Sequence, residues 1–262
     1  MEENKQIHLS KIALYAFPIR ETDMFINSSL FCVKLMTTLT VLKIPFEVKY
    51  DTFALGKTPK GKLPFIVDGN NQLFFDSRLI IEKLKENGKD LDMALSKVDQ
   101  SISITFRRML EEHLYWYIVA TRWERNWDYV ATTYFYFFPW FMYPVKLWIK
   151  RQFINQLYGV GVSRLEVNEQ LLLSTQDLTA LEELLQSSQT HFFFSSTTCT
   201  NLDIVAFSST FSILSTPFED PLKSYIVKTC PHLVKLVSLM LKTLYMKEYE
   251  HYKHLFASQH SK

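Results

Sequence analysis

Glycine is scarce in this chain, with 6 residues in 262. Neither G-x-x-x-x-G-K-[ST] nor G-x-G-x-x-G occurs, which excludes the glycine loops that cradle phosphates in nucleotide-binding folds. Cysteine is scarce as well. Cys32, Cys199 and Cys230 cannot build a disulfide framework and suit a reducing compartment. Charge is nearly balanced, 29 Lys and Arg against 27 Asp and Glu, with no basic patch, so nucleic acid is not an expected partner. The first five residues, MEENK, are polar and lack the apolar core of a secretory signal, so a cytoplasmic protein is expected. The seven histidines form no H-x-x-x-H or H-E-x-x-H pattern. His251 and His254 near the tail read as solvated, and no metal site is expected. A membrane span needs about 20 apolar residues. The uncharged run at 129–145 has only 17 and contains Pro139 and Pro144. It reads as a buried helix or pocket wall, with a membrane-surface contact as the alternative.

What is present is apolar and above all aromatic. Hydrophobic residues make up 47% of the chain, enough for a packed core, which rules out wholesale disorder. Aromatics make up 15%, and eighteen of them fall between Phe106 and Tyr158. All five tryptophans lie between Trp116 and Trp148.

The first 90 residues read as a small α/β unit. Residues 12–17 (IALYAF) are a short apolar run ending at Pro18, consistent with a buried strand. In 30–42, Phe31, Leu35, Leu39 and Leu42 repeat with helical spacing, with Asn27, Ser28 and Ser29 as N-cap candidates. Residues 46–50 (FEVKY) alternate as a half-buried strand. Residues 56–61 read as a loop, 63–67 as a strand, and Asp68-Gly69 as a hairpin turn into a strand at 73–75. Asp76-Ser77 then precedes an amphipathic segment carrying Leu79, Ile80 and Leu84, which ends near Gly88. The order β-α-β-loop-β-β-α is a thioredoxin-like plan, placed at 10–88.

After a linker, 96–255 reads as all-helical. A long helix at 98–127 carries Ile102, Phe106, Met109, Leu110, His113, Leu114 and Tyr117 on one face. Others are expected at 146–158, as two short helices in 168–185, as a fully buried helix at 202–214, and at 231–244 with Pro231 in its first turn.

Four features could carry chemistry. Ser29 and Cys32 sit where the first helix begins. The free N–H groups and positive dipole end there could stabilise a thiolate or activate a side chain, or else Ser29 is only a cap and Cys32 a core residue. Leu63-Pro64 opens a strand, either as a cis bond that presents the Leu63 main chain to an extended peptide or as an ordinary trans proline. Ser77 as N-cap could hold a carboxylate while Asp76 accepts from an amine, or the pair only caps the second helix. Thr200 and Asp203 read as a structural capping box. A weaker fifth feature, Arg122, Trp123 and Arg125, could bind an anion, stack on rings, or end a helix in solvent.

Taken in order, S-x-x-C followed by KL, PKGKLPFI, FDS-x-x-II-x-x-L, WERNW and TNLD resemble the glutathione S-transferase superfamily over most of the chain. Within it they resemble the failed axon connections and metaxin-like branch, and they are similar to nematode cadmium-responsive proteins. The resemblance implies the glutathione S-transferase fold, an α/β thioredoxin-like N-terminal domain plus an all-α C-terminal domain. It implies glutathione as co-substrate, with Ser29 at the sulfur and the main chain around Leu63-Pro64 at the cysteinyl unit. Asp76 and Ser77 would take the γ-glutamyl end and Lys62 the glycyl carboxylate. The implied reaction is attack of the glutathione thiolate on a small electrophile held by aromatics of the second domain. The implied partners also include a homodimer and a peripheral membrane contact. A non-catalytic adaptor acting in neuronal development or at a membrane is the alternative. Two residue-level departures stand out: Leu30 occupies a position where many relatives have proline, and 19–28 lengthens the loop before the first helix.

Overall fold

The computed structural model describes residues 6–20, 23, 25–51, 58, 59 and 61–257. The polar N-terminus at 1–5, and residues 56, 57 and 60 of the expected loop, lie outside them. The α/β half runs β1 (Ile12–Ala16), α1 (Leu30–Val41), β2 (Phe46–Tyr50), β3 (Phe65–Val67), β4 (Leu73–Phe75) and α2 (Ser77–Glu86). This is the order expected from the sequence. The sheet order is β2-β1-β3-β4. β1 and β2 are parallel, with Ile12 opposite Phe46, as a strand–helix–strand crossover requires. β3 and β4 pair antiparallel across a turn organised by Asp68, whose Oδ1 accepts from the amides of Asn70 and Gln72, both at 2.9 Å.

The helical half begins with α3 (Lys97–Arg108) and continues through a π-helical segment (Met109–Leu114), α4 (Tyr115–Ala120) and a second π-helical segment (Thr121–Arg125). It goes on through α5 (Trp127–Thr133), α6 (Tyr143–Val160), α7 (Val167–Ser188), α8 (Asn201–Leu214), α9 (Pro221–Thr229), α10 (Pro231–Leu244) and α11 (Met246–Ala257). Two expectations are corrected here. Residues 167–188 form one helix rather than two, because no glycine or proline interrupts the stretch, and Thr175 and Thr179 return their hydroxyls to Leu172 O and Thr175 O, both at 2.7 Å. The single apolar face expected on the first long helix is broken. Each π turn adds a residue and rotates the next stretch of helix about its axis, so His113 faces outward to Asp177 (2.5 Å) while Glu111 is buried.

The two halves share one core. α1 lies against α8, all fourteen of whose residues are buried. α8 starts with the expected capping box: Asp203 Oδ2 accepts from the Thr200 amide at 2.8 Å, and Oδ1 from the Phe193 amide at 2.9 Å. Burial pushes the Asp203 carboxyl up to about 6 against these bonds. A buried ion pair, Lys34 of α1 with Glu111 of the π-helical segment, crosses the seam between the halves. Burial lowers the Lys34 pKa, and Glu111 offsets only part of that.

Candidate active site

Strand register brings three of the four sequence features to one end of the sheet. β1 leads out of the sheet toward α1. β3 runs antiparallel to it with Phe65 opposite Tyr15, so Pro64 and Leu63 enter beside the end of β1. β4 pairs Phe75 with Phe65, so Asp76 leaves the sheet next to the same place. Ser29, Leu63-Pro64 and Asp76-Ser77 therefore stand at one sheet end, at the N-termini of α1 and α2.

Ser29 is the N-cap residue of α1, half-buried, and its side chain makes no capping bond. Its segment is fastened from several directions. Asn27 Nδ2 donates to Phe17 O at 2.8 Å, and Asn27 Oδ1 accepts from the Ser29 amide at 3.0 Å. Arg122 Nη1 donates to Ser28 O at 2.6 Å, and the Tyr134 hydroxyl donates to the same carbonyl at 3.0 Å. Arg122 Nη2 reaches Ser212 O (2.8 Å) and Oγ (2.7 Å) on α8. One fully enclosed guanidinium thus ties the loop before α1 to the helical half. Of the readings open for RWERNW, the solvated helix end is corrected for Arg122, which is buried, while Arg125 lies 5.1 Å over the Tyr117 ring. Sequence reasoning missed this role because its partners lie about ninety residues away in both directions.

Cys32 is packed in the core with no exposed surface. Burial pushes its thiol up to about 12, against the lowering effect of hydrogen bonds with Phe17 and Ser29. At neutral pH it is a core thiol rather than a thiolate.

The Leu63-Pro64 peptide bond is cis, and both side chains are buried. Lys62 is exposed just before it, its amide 3.4 Å from Thr58 Oγ1. At α2 the cap is shifted by one residue from the expectation. Asp76, not Ser77, is the N-cap, with Oδ1 accepting from the Arg78 amide at 2.9 Å. Ser77 is the buried first helical residue. Asp76 adopts φ 70° and ψ 117°, a costly conformation for a residue with a Cβ and one that tends to cluster at functional sites.

A cavity of about 340 Å³ opens where α1, α2, α3 and α8 meet, lined among others by Lys34, Asp76, Arg78, Arg107 and Glu111. It reaches Asp76 but not Ser29. The aromatic excess does not form one pocket wall, as the sequence suggested. Trp123 stacks on Phe153 at 3.6 Å and touches Trp127, Tyr134 and Phe135 in a closed cluster. A second set, Tyr136, Trp140, Phe141, Tyr143 and Trp148, is exposed. Near Ser29 the rings are Phe17 edge-on to Tyr134 at 5.7 Å and Phe31 against Tyr115 at 4.9 Å.

A thioredoxin-like unit whose helix N-termini and cis-proline strand meet at one sheet end, fused to an all-helical half, defines the architecture of glutathione-dependent transferases. A family model described as the glutathione S-transferase N-terminal domain matches residues 30–128, and one described as the glutathione S-transferase C-terminal domain matches 174–240. The chain belongs to the glutathione S-transferase superfamily. Its curated relatives include proteins of the failed axon connections and metaxin type, which supports that branch. It is 29% identical to Failed axon connections of Drosophila melanogaster over 89% of this chain and 58% of that protein. It is 23% identical to a metaxin-1 homolog of Caenorhabditis briggsae over 69% of this chain and 58% of that one. An isoprene-epoxide glutathione S-transferase of a Rhodococcus strain is 40% identical over 36% of this chain and 41% of its own length. The chain thus spans less than two thirds of each of these relatives. Among solved structures, a glutathione S-transferase from Methylobacillus flagellatus with glutathione bound superposes with TM-score 0.58 at 14% identity, covering 92% of this chain and 98% of that one. A glutathione transferase from Phanerochaete chrysosporium gives TM-score 0.60 at 15% identity, over 88% and 96%. These identities speak for the fold alone.

Proposed function

We propose that the chain binds glutathione at this sheet end and uses it to conjugate or otherwise transform small electrophiles. The observation that carries the reading is the strand register, which gathers Ser29, Leu63-Pro64 and Asp76-Ser77 at two helix N-termini. In this reading the 10–88 unit is the glutathione-binding domain and 96–255 the helical domain. The Ser29 hydroxyl donates to the glutathione sulfur, and the dipole of α1 favours the thiolate. The Leu63 main chain pairs with the cysteinyl unit. Asp76 accepts from the γ-glutamyl ammonium, and the open N–H groups at Ser77 face its carboxylate. Lys62, exposed beside Leu63, reaches the glycyl carboxylate. The glutathione thiol proton passes to solvent, the sulfur forms a bond to the electrophilic carbon, and either the leaving group departs with the electron pair or the opened ring oxygen takes it and is protonated by solvent. The bacterial relative's name supplies an epoxide as one class of electrophile. Phe17, Phe31, Tyr115 and Tyr134 are the rings placed to receive it. A homodimer and a cytoplasmic setting belong to the same proposal.

Steady-state turnover of glutathione with a chlorodinitrobenzene tests it. Ser29→Ala should depress turnover more than glutathione affinity. Turnover that survives the substitution unchanged sinks the role given to Ser29.

The second reading is a non-catalytic adaptor of the failed axon connections and metaxin type, in contact with a membrane. The specific observation in its favour is the set of rings left exposed around α6. Such an adaptor tolerates loss of Ser29 and Asp76 without losing its partner.

A further inference from the structure

The exposed rings are not scattered. Trp140 is 88% exposed, Phe141 64% and Trp148 61%, and Tyr136, Tyr143, Leu147 and Tyr158 are exposed as well. All belong to α6 or the chain leading into it. α6 buries a single residue, Leu157, and with Ile149 and Phe153 this residue packs on the closed aromatic cluster. These three recur every four residues and mark the inner face. At 100° per residue, Leu147, Trp148, Arg151 and Tyr158 fall on the opposite side. A helix of a globular protein ordinarily presents a charged and polar outer face. This one presents Leu147, Trp148 and Tyr158, with Arg151, Gln152 and Asn155 between them. With Trp140 and Phe141 leading into it, the 140–148 end exposes large apolar side chains of a kind that marks an interaction site.

Along the chain, the segment that carries these rings has charge of one sign. No acidic residue occurs between Asp128 and Glu166, whereas Lys146, Lys150, Arg151 and Arg164 lie in that interval. Lys150 is held 4.9 Å over the Trp127 ring, and Arg164 4.8 Å over the Tyr158 ring. Arg164 is thereby kept beside the exposed Tyr158, while Lys150 lies against the closed aromatic cluster. Glu166 and Glu169 start α7, so the purely basic part is the 140–151 end. Tryptophan and tyrosine favour the headgroup level of a bilayer, and cations beside them favour anionic lipid. Among the described residues no helix is long and apolar enough to cross a membrane, so the contact such a surface makes is peripheral.

We propose that the 140–158 face, carried by Trp140, Phe141, Leu147 and Trp148 with Arg151, docks on the surface of an anionic lipid bilayer. This deepens the membrane contact of the adaptor reading and rests on it. It does not require that glutathione be bound or turned over. The charge complementarity favours lipid over a second copy of this chain, since two such basic faces would repel each other.

The test is co-sedimentation of the full chain with vesicles of phosphatidylcholine alone and of phosphatidylcholine with phosphatidylserine. Binding is expected to the mixed vesicles, to weaken with salt, and to be accompanied by a blue shift of tryptophan emission. Each charge near the surface is worth about fivefold in partitioning, so Arg151→Glu, a change of two charges, should lower it by ~25-fold. Trp140→Ala with Phe141→Ala and Trp148→Ala should abolish the blue shift. All four side chains lie outside the buried core, and an unchanged circular dichroism melt confirms that the variants fold. Both variants should keep the wild-type heat of glutathione titration, which separates this proposal from the thiol-site reading. Equal binding to both vesicle types overturns the proposal, as does no binding to either. Concentration-dependent dimers that the tryptophan variant abolishes would assign the face to a second copy instead.

Discussion

Replacing Lys34 by methionine removes one half of the ion pair that joins the two halves of the molecule. The Lys34 side chain is 1% exposed and that of Glu111 4%. Methionine fills nearly the same volume, so little cavity energy enters. What remains is a carboxylate enclosed at the seam with its cation gone. Breaking a buried pair in this way costs about 3–5 kcal/mol. For a chain of this size that lowers Tm by roughly 10 °C. The double variant Lys34→Met with Glu111→Met removes both charges, and replacing a whole buried pair by apolar groups ranges from neutral to stabilising by ~1–4 kcal/mol. The double variant should therefore be more stable than Lys34→Met alone. Urea unfolding followed by tryptophan fluorescence measures all corners of the cycle, and all five tryptophans lie in the helical half. A loss below ~1 kcal/mol for Lys34→Met, or a double variant that loses the sum of the two single losses, would refute the reasoning.

Arg122→Lys keeps a charge but cannot span Ser28 O, Tyr134 and the two Ser212 oxygens at once. It should cost ~2–4 kcal/mol in urea unfolding and weaken glutathione binding, because the Ser28–Ser29 segment is released. Cys32, with its thiol pushed up to about 12 by burial, should resist iodoacetamide in the native protein and react in guanidinium. Mass spectrometry of the labelled peptide reads the difference. Asp203 has a folded pKa of about 6, above the 3.8 of an unperturbed carboxyl. Its protonated form therefore adds stability at low pH that is lost as pH rises through about 6, a swing of up to ~3 kcal/mol. Unfolding free energies at pH 4 and 7 should show this contribution in wild type and not in Asp203→Asn.

The parts of the fold written in local pattern were legible. The strands at 12–16 and 46–50 follow from apolar runs and alternation, and the Thr200–Asp203 box is complete within four residues. What was illegible depends on partners distant in sequence. Arg122 reads as a surface charge until Ser28 and Ser212 close around it. The aromatic run from 134 to 148 has one composition but two fates, decided by which residues α6 turns toward Trp123. The shift of the α2 cap from Ser77 to Asp76 depends on a positive φ, which few residues with a Cβ adopt. α9 and α11 were not expected from the sequence either. The three strand-end features could be named from sequence, yet that they meet is a consequence of register.

The central claim is that this meeting point binds glutathione. Calorimetric titration of the full chain with glutathione tests it most directly, alongside Asp76→Asn, which tolerates the positive φ and keeps the cap while removing the charge. Saturable heat in wild type, with affinity about tenfold weaker in Asp76→Asn, is the predicted result. No heat at millimolar glutathione, or heat that Asp76→Asn and Ser29→Ala both leave untouched, would contradict the account.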